Sequence, residues 1–292
     1  MELRVLRYFL TIVNEQSISH AANKLHISQP TISRQIHELE SELGVSLFER
    51  NHRGIKLTSA GEYLANQARQ LIALADKTSA NINKEHEISG SVFLGCAEIP
   101  MMSTIAQTIA NLTHSAPKIT VNLHSCDARE VHEKMQNGIF DFGVTVEPIN
   151  KTDYNFLVLP GSTAWGVLTR KDNPLANQTG INVDDLHNQR MIVPQQQSSL
   201  EVINQWLGSS FKKLNVVATY NLLYNASLLA QARVGSAICL DGIINTVDTD
   251  LVFIPLVPRQ TAQVCLIWSK ALTLSPAAQK FLTELKLLLP VS

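Results

Sequence analysis

Long apolar runs are what this sequence most plainly lacks. No stretch of its 292 residues approaches the roughly 20 consecutive apolar residues of a membrane-spanning helix, so no membrane partner is expected. The chain opens on Met1-Glu2-Leu3-Arg4-Val5-Leu6-Arg7, an amphipathic pattern without a secretory apolar region or small-residue cleavage site. The expected location is therefore the cytoplasm. Cysteine is scarce: Cys96, Cys126, Cys239 and Cys265 stand far apart and form no Cys-x-x-Cys pair. That argues against a disulfide framework and gives no zinc signal, so the four read as buried apolar thiols near strand ends. The 9 histidines show no ligand spacing, and no metal is expected. Charge excess is also missing: the net charge is −1, so any attraction to nucleic acid must come from local patches. No G-x-S-x-G, P-loop or G-x-G-x-x-G after a strand is present, and no acid–base pair is set by spacing. An enzyme is not expected, and no cofactor is called for.

What is present is organised around Ser17 to Leu43. Ala21, Ala22 and Leu25 share a helical face that breaks at His26-Ile27. Ser28 is a good N-cap, and Pro30 costs little in a first turn whose N–H groups lack helical partners. Ile32, Ile36, Leu39 and Leu43 then recur at helical spacing, with Gly44 as a stop. The opposite face of the first turns carries Gln29, Thr31, Ser33, Arg34 and Gln35, none of them acidic. One face held by a core and an N-terminal end offered to the major groove is what a recognition helix needs. Periodicity alone fits an ordinary helical pair equally well.

Val45 to Arg50 and Ile55 to Leu57 read as strands around the turn Asn51-His52-Arg53-Gly54. Arg50, His52, Arg53 and Lys56 on this hairpin suit phosphates, which position a protein without reading sequence. Thr58 or Ser59 then caps a long helix, with Glu62 in capping-box spacing after Ser59. Leu64, Ala68, Leu71, Ala75, Thr78 and Ile82 follow the heptad alternation of a helix seam. A helix of this kind needs a partner for its stripe, either a second copy or its own domain.

The wider pattern carries a resemblance. Leu3, Leu6, Phe9, Leu10 and Val13 lead into Ala21-Ala22 and the run Ser28 to Ile36. Leu39-Glu40, Leu43-Gly44, Leu47 to Arg50 and Leu57 to Gly61 follow. Over about the first 65 residues this resembles the winged helix-turn-helix of LysR-type transcriptional regulators. The resemblance implies double-stranded promoter DNA as partner, with Ser28, Gln29, Pro30, Thr31, Ser33, Arg34, Gln35, Arg50 and Arg53 as the contacting set. It also implies a dimer through the seam at Leu64, Ala68, Leu71, Ala75 and Ile82, a dimer of dimers beyond it, and RNA polymerase as a further partner in activation. Since LysR-like proteins include peroxide sensors, a redox thiol stays open.

From Gly90 the pattern changes to alternating strands and helices, which argues for parallel sheet. Strands are expected at Val92 to Gly95, Ile119 to Ser125, Phe140 to Val146 and Trp165 to Thr169. Others follow at Met191 to Val193, Val216 to Thr219, Ala237 to Leu240, Val252 to Leu256 and Val264 to Trp268. Helices are expected at Ile105 to Leu112, Arg129 to Asn137, Ser199 to Leu207, Leu223 to Arg233 and Pro276 to Leu288. With crossings near Pro160-Gly161 and Arg259 to Ala262, this resembles the two-part, periplasmic-binding-protein-like effector domain of the same family. The expected fold is thus α/β with an all-α winged helix-turn-helix in front. Its parts are a DNA-binding domain at 1–58 and a linker helix at 59–89. Effector subdomain I takes 90–160 and 263–292, and subdomain II takes 161–262.

In such sheets ligands sit beyond the carboxyl ends of strands. Those ends nominate Ala97, Glu98, Ile99, Pro100, Ser125, Asp127, Thr145, Gln195, Gln196 and Asn221 for a small-molecule effector. Trp165 and Gly166 are further candidates, although a core tryptophan explains them as simply. Many family members hold a carboxylate with Ser or Thr near the first two loops; here Glu98 and Asp127-Ala128 stand there instead. With Glu147 as a third acid and no Lys or Arg in these loops, a polar, non-anionic effector is expected: an amine, a polyol or a metal. A freestanding solute-binding protein would account for the last two-thirds, but it would require a signal peptide and leave the first 89 residues idle.

Overall fold

The computed structural model describes residues 1–51, 54–81 and 88–290. The chain forms two compact units, Met1–Ile82 and Asn83–Ser292.

The first unit contains α1 (Leu3–Glu15), α2 (Ile18–Lys24), α3 (Gln29–Leu43), β1 (Phe48–Asn51), β2 (Gly54–Leu57) and α4 (Ser59–Asn81). Its core joins Val5, Phe9 and Ile12 of α1 to Ala21 and Ala22 of α2 and to Ile32, Ile36 and Leu39 of α3. Caps set the helix starts: Ser17 Oγ accepts from His20 N at 3.3 Å and Ser28 Oγ from Thr31 N at 3.3 Å. Gly44, at φ +70°, closes α3. Leu43 departs from the expected core face and is 39% exposed, because the core ends at Leu39 and the chain turns away at Gly44. The first wing strand begins at Phe48 rather than Val45, and Thr58 rather than Ser59 caps α4. Thr58 Oγ1 accepts from Gly61 N at 3.0 Å and donates to Ser46 O at 2.7 Å.

The seam expected on α4 needs correction. α4 packs against α1 of the same chain, where Ala68 is fully buried and Leu64 half-buried. Arg7 of α1 pairs with Asp76 of α4 on that side. The chain itself therefore satisfies part of the stripe. Leu71, 41% exposed, remains open, as do Leu74 at 39% and Tyr63 at 69%, neither of which the heptad reading included. Ala75 is half-buried, and Ile82 lies outside the described residues.

The second unit begins with β3 (Gly90–Cys96), α5 (Met102–Ser115), β4 (Ile119–Ser125), α6 (Ala128–Gln136), β5 (Phe142–Val146) and β6 (Tyr154–Val158). It continues with β7 (Thr163–Arg170), β8 (Arg190–Pro194), α7 (Gln197–Leu207), β9 (Asn215–Tyr220), α8 (Leu223–Gln231) and β10 (Ser236–Leu240). β11 (Leu251–Pro255), β12 (Thr261–Ala262), β13 (Val264–Ser269) and α9 (Pro276–Leu288) complete it. One sheet has the order β4-β3-β5-β13-β6; the other runs β11-β7-β10-β8-β9, with β12 beside β7. The chain thus changes sheet between β6 and β7 and returns between β12 and β13.

The sheets are mixed, not parallel. β3 is parallel to β4 and β5, and β8 to β9 and β10. β13 runs antiparallel to β5 and β6, and β7 antiparallel to β10, β11 and β12. Apolar runs report burial but carry no direction; the two crossings decide it. β7 is buried at every position but its last and β10 at every position, the mark of central strands covered on both faces. Asp141, just before β5, pins the first sheet: its Oδ2 accepts from Phe93 N at 2.9 Å while its own N donates to Phe93 O at 2.8 Å. A single apolar cluster, from Leu94 and Phe142 through Trp165 to Val193 and Ile238, runs through both sheets.

Candidate nucleic-acid interface and effector cleft

At the start of α3, Ser28, Gln29, Pro30, Thr31 and Arg34 are exposed, and Ser33 and Gln35 half-buried. Ser28 Oγ lies 2.7 Å from Thr31 Oγ1, so both hydroxyls are engaged in the cap. Ser19 Oγ donates to Gln29 Oε1 at 3.2 Å, tying the helix start to α2. Sequence reasoning missed Glu38. Its carboxylate accepts from Gln35 Nε2 at 2.6 Å and sits 3.5 Å from Arg34 Nε. Exposed pairs of this kind contribute little, so Arg34 can exchange Glu38 for a base edge or phosphate at small cost. Arg53 lies outside the described residues, as does the side chain of Arg50.

Glu40, also unforeseen, fixes the passage from recognition helix to wing. Its Oε1 accepts from Leu47 N at 2.7 Å and from Phe48 N at 3.4 Å in a half-buried setting. Glu40→Ala leaves those N–H groups unpaired and should cost about 1–3 kcal/mol. Denaturant unfolding followed by far-ultraviolet circular dichroism will show the shift; an unchanged midpoint would mean water replaces the carboxylate.

In the second unit two adjoining cavities lie at the carboxyl ends of the parallel strands. The inner recess has a volume of 70 Å³ and is lined by Ala97, Glu98, Ile99, Trp165, Gln196 and Asn221 among others. The larger cavity, 670 Å³, takes Asp127, Thr145, Gln195 and Gln196. Gln196 lines both. Pro100 and Ser125, nominated by position, line neither and are exposed. Pro100 instead approaches Gly242, where an added Cβ would meet its Cγ at 2.6 Å. Gly166 also lines neither cavity; its position faces Phe253 and the Ile254 carbonyl.

The expected chemistry of the loops changes once partners are counted. Asp127 is spent on capping α6, its Oδ1 accepting from Glu130 N at 2.9 Å. Glu147 lines neither cavity; the Cys265 thiol donates to it at 2.9 Å and Lys151 pairs with it. The Cys265 bond first, then Lys151, holds the Glu147 carboxyl below its usual range. Glu98 alone of the three acids makes no hydrogen bond or ion pair among the described residues. Other groups enter from beyond the loops: the Arg129 guanidinium and the His132 imidazole of α6 line the larger cavity, with His132 Nδ1 2.6 Å from the Tyr154 hydroxyl. Thr145 and Trp165 are each 3% exposed. Thr145 Oγ1 and Trp165 Nε1 are buried without a hydrogen-bond partner among the described residues.

All four cysteines are free and buried. Burial pushes the Cys96 thiol up to about 12 and that of Cys126 up to about 11. Cys265 is raised to about 12, chiefly by burial, and Cys239 is raised for the same reason. Thiolate chemistry is thereby disfavoured at each. The fold does bring together His124, Cys126 and Glu130, with ligand atoms within 4.8 Å of one another, which their spacing did not suggest. Lys134 already occupies that cluster's charge: its Nζ is 2.6 Å from Glu130 Oε1 and 3.2 Å from His124 Nε2.

Comparison with known proteins adds to this geometry. A family model described as bacterial regulatory helix-turn-helix protein, lysR family, matches residues 3–62, and one described as LysR substrate binding domain matches residues 85–289. The chain is 37% identical over 145 residues to the HTH-type transcriptional regulator ClcR of Pseudomonas putida, spanning 49% of either chain, about half of ClcR. It is 30% identical over 233 residues to the HTH-type transcriptional regulator YtlI of Bacillus subtilis, covering 77% of this chain and 74% of that one. The crystal structure of CbnR, a LysR family transcriptional regulator, matches with a TM-score of 0.77 over 98% of each chain at 19% identity, a likeness of fold.

Proposed function

Because the chain belongs to the LysR family of bacterial regulatory helix-turn-helix proteins and is a ligand-responsive transcriptional regulator of that type, we propose that it works in the cytoplasm as a homo-oligomeric promoter switch set by a small polar, non-anionic effector. It is not an enzyme, and the switch uses no cofactor. The observation that carries this reading is the coexistence of two sites in one chain. An exposed, acid-free helix start is offered from the first unit, and a cleft with unpartnered polar groups lies between the sheets of the second. The fold likeness to CbnR, also solved with its target DNA, supports the first half.

In mechanism, Gln29, Thr31, Ser33, Arg34 and Gln35 approach the major groove while the wing holds phosphates. Paired protomers address half-sites about one helical turn apart, and a dimer of dimers extends the footprint. An effector binding one arrangement of the two α/β subdomains more tightly shifts the population toward it, and with it the spacing of recognition helices and the bend in the DNA. Contacts with RNA polymerase would complete activation.

The test is footprinting of the purified protein on DNA flanking its own coding sequence, at stated salt, with and without a metabolite extract. The protected region should shorten or shift with extract; no protection at moderate salt would overturn the reading. Arg34→Ala should lower specific affinity by about 1–3 kcal/mol and relax sequence preference. Unchanged operator binding removes Arg34 from the readout. Calorimetry showing tight binding only to simple carboxylates would overturn the non-anionic effector.

A further inference from the structure

Resting on the reading of the cleft as an effector site, we propose that its inner recess takes the head group of an α-amino acid, the ammonium on Glu98 and the carboxylate at the start of α8 beside Trp165. Glu98 lines the recess and has no partner among the described residues, so a fixed negative charge waits there for a cation or a donor. The opposite polarity stands beside it. α8 begins without a side-chain cap and without an acid in its first turn, and Leu222 and Leu223 at its start line the same recess. Asn221 Oδ1 takes up the Leu222 N–H at 2.9 Å; the N–H groups of the first turn that follow lack helical partners and favour an anion.

Trp165 is the independent observation. It is 3% exposed and lines the recess, and its Nε1–H is buried without an acceptor among the described residues. A buried donor of this kind carries a desolvation penalty that an incoming acceptor relieves. Compare α6, whose start at the same end of the sheets is closed by Asp127. One end of the recess thus asks for a donor and the other for an acceptor, which neither a simple amine nor a simple carboxylate satisfies. A carboxylate alone would also face the charge of Glu98.

Size agrees with a head group. The recess of 70 Å³ is several times the roughly 10–15 Å³ that one water needs, yet smaller than the roughly 150 Å³ of a cavity that holds benzene. Gln196 lines both spaces, so a side chain growing from the head leads into the larger cavity. There Arg129, His132 and the unpartnered Thr145 hydroxyl select for a polar chain.

The experiment is calorimetry on the full-length protein with the proteinogenic L-α-amino acids. For each that binds, its decarboxylated amine and its deaminated acid are titrated in parallel. At least one amino acid should bind, with both truncated analogues weaker by about tenfold or more. Glu98→Gln should weaken the amino acid far more than the deaminated acid, and Trp165→Phe should weaken it more than the decarboxylated amine. Unchanged melting temperatures establish that each variant is folded. Equal binding of either truncated analogue overturns the head-group assignment, as does failure of every amino acid. If the metabolite extract still shifts the footprint in that case, only this assignment falls; if the extract is silent too, the effector reading falls with it.

Discussion

Gly61→Ala should strongly destabilise the DNA-binding unit while sparing the rest of the chain. By propensity alone the change is favourable, since Ala exceeds Gly by about 1 kcal/mol inside a helix. Sterics reverse the sign. A Cβ at Gly61 would meet the Leu47 carbonyl oxygen at 2.1 Å and Leu57 Cδ2 at 2.8 Å. The leucine side chain can move, but the carbonyl cannot do so freely. Leu47 O accepts from Thr58 N at 3.0 Å, Leu47 N is held by Glu40 at 2.7 Å, and the Leu47 side chain is 1% exposed. Relief therefore breaks the connection between wing and α4 or pulls Leu47 from the core. We expect a net loss of about 3 kcal/mol, a large part of what a small domain has. The readout is selective, because the 3 tryptophans, Trp165, Trp206 and Trp268, all lie in the second unit. Circular dichroism should show an early loss of helix with tryptophan fluorescence unmoved, and operator binding should vanish with the helical signal. An Ala variant as stable as the parent would show that α4 can shift away from Leu47 without penalty.

How far the sequence discloses the molecule depends on the range of the interaction concerned. Ser28, Pro30 and Gly44 mark the bounds of α3 because capping acts within one turn, and that stretch can be read residue by residue. Strand positions were legible from apolar runs, strand direction was not, since β13 owes its direction to the return crossing just before it, into a sheet whose other strands lie far earlier in the chain. β6 was missed although Tyr154, Phe156, Leu157 and Val158 make it an apolar run; as an edge strand it buries only Tyr154, so its pattern shows neither continuous burial nor a clean alternation. The cleft was half legible. Of the residues nominated from strand ends, Glu98, Thr145 and Gln196 line the cavities, whereas Pro100 and Ser125 line neither. What position could not reveal was engagement. Glu147 and Asp127 look alike in sequence to Glu98, yet Lys151, Cys265 and the α6 backbone have taken them up. Glu38 and Glu40 illustrate the same limit in the first unit: Glu38 is taken up by Arg34 and Gln35 of its own helix, and Glu40 by Leu47 N and Phe48 N across a turn that only the fold defines.

The α4 stripe leads to the prediction of largest consequence for DNA binding. Leu71 and Leu74 are exposed in the single chain, whereas Ala68 is already covered. A dimer built on this helix must therefore bury the Leu71–Leu74 side. Full burial of a leucine is worth about 1.5–3 kcal/mol, and these two start roughly half covered, so the four leucines of a symmetric pair supply several kcal/mol. Replacing both with glutamate removes that term and sets like charges face to face. The Leu71→Glu, Leu74→Glu double variant should sediment as a monomer and bind an operator with two half-sites at least about a hundredfold more weakly, while binding to one half-site changes little. Ala68→Glu separates the two faces of the helix. Its carboxylate would be buried against the chain's own α1, so it should lower the unfolding midpoint of the first unit, a loss that the exposed double variant should not share. A double variant that still sediments as a dimer would place the pairing surface elsewhere on the chain, and an Ala68→Glu variant that dissociates while remaining fully stable would restore the original heptad seam.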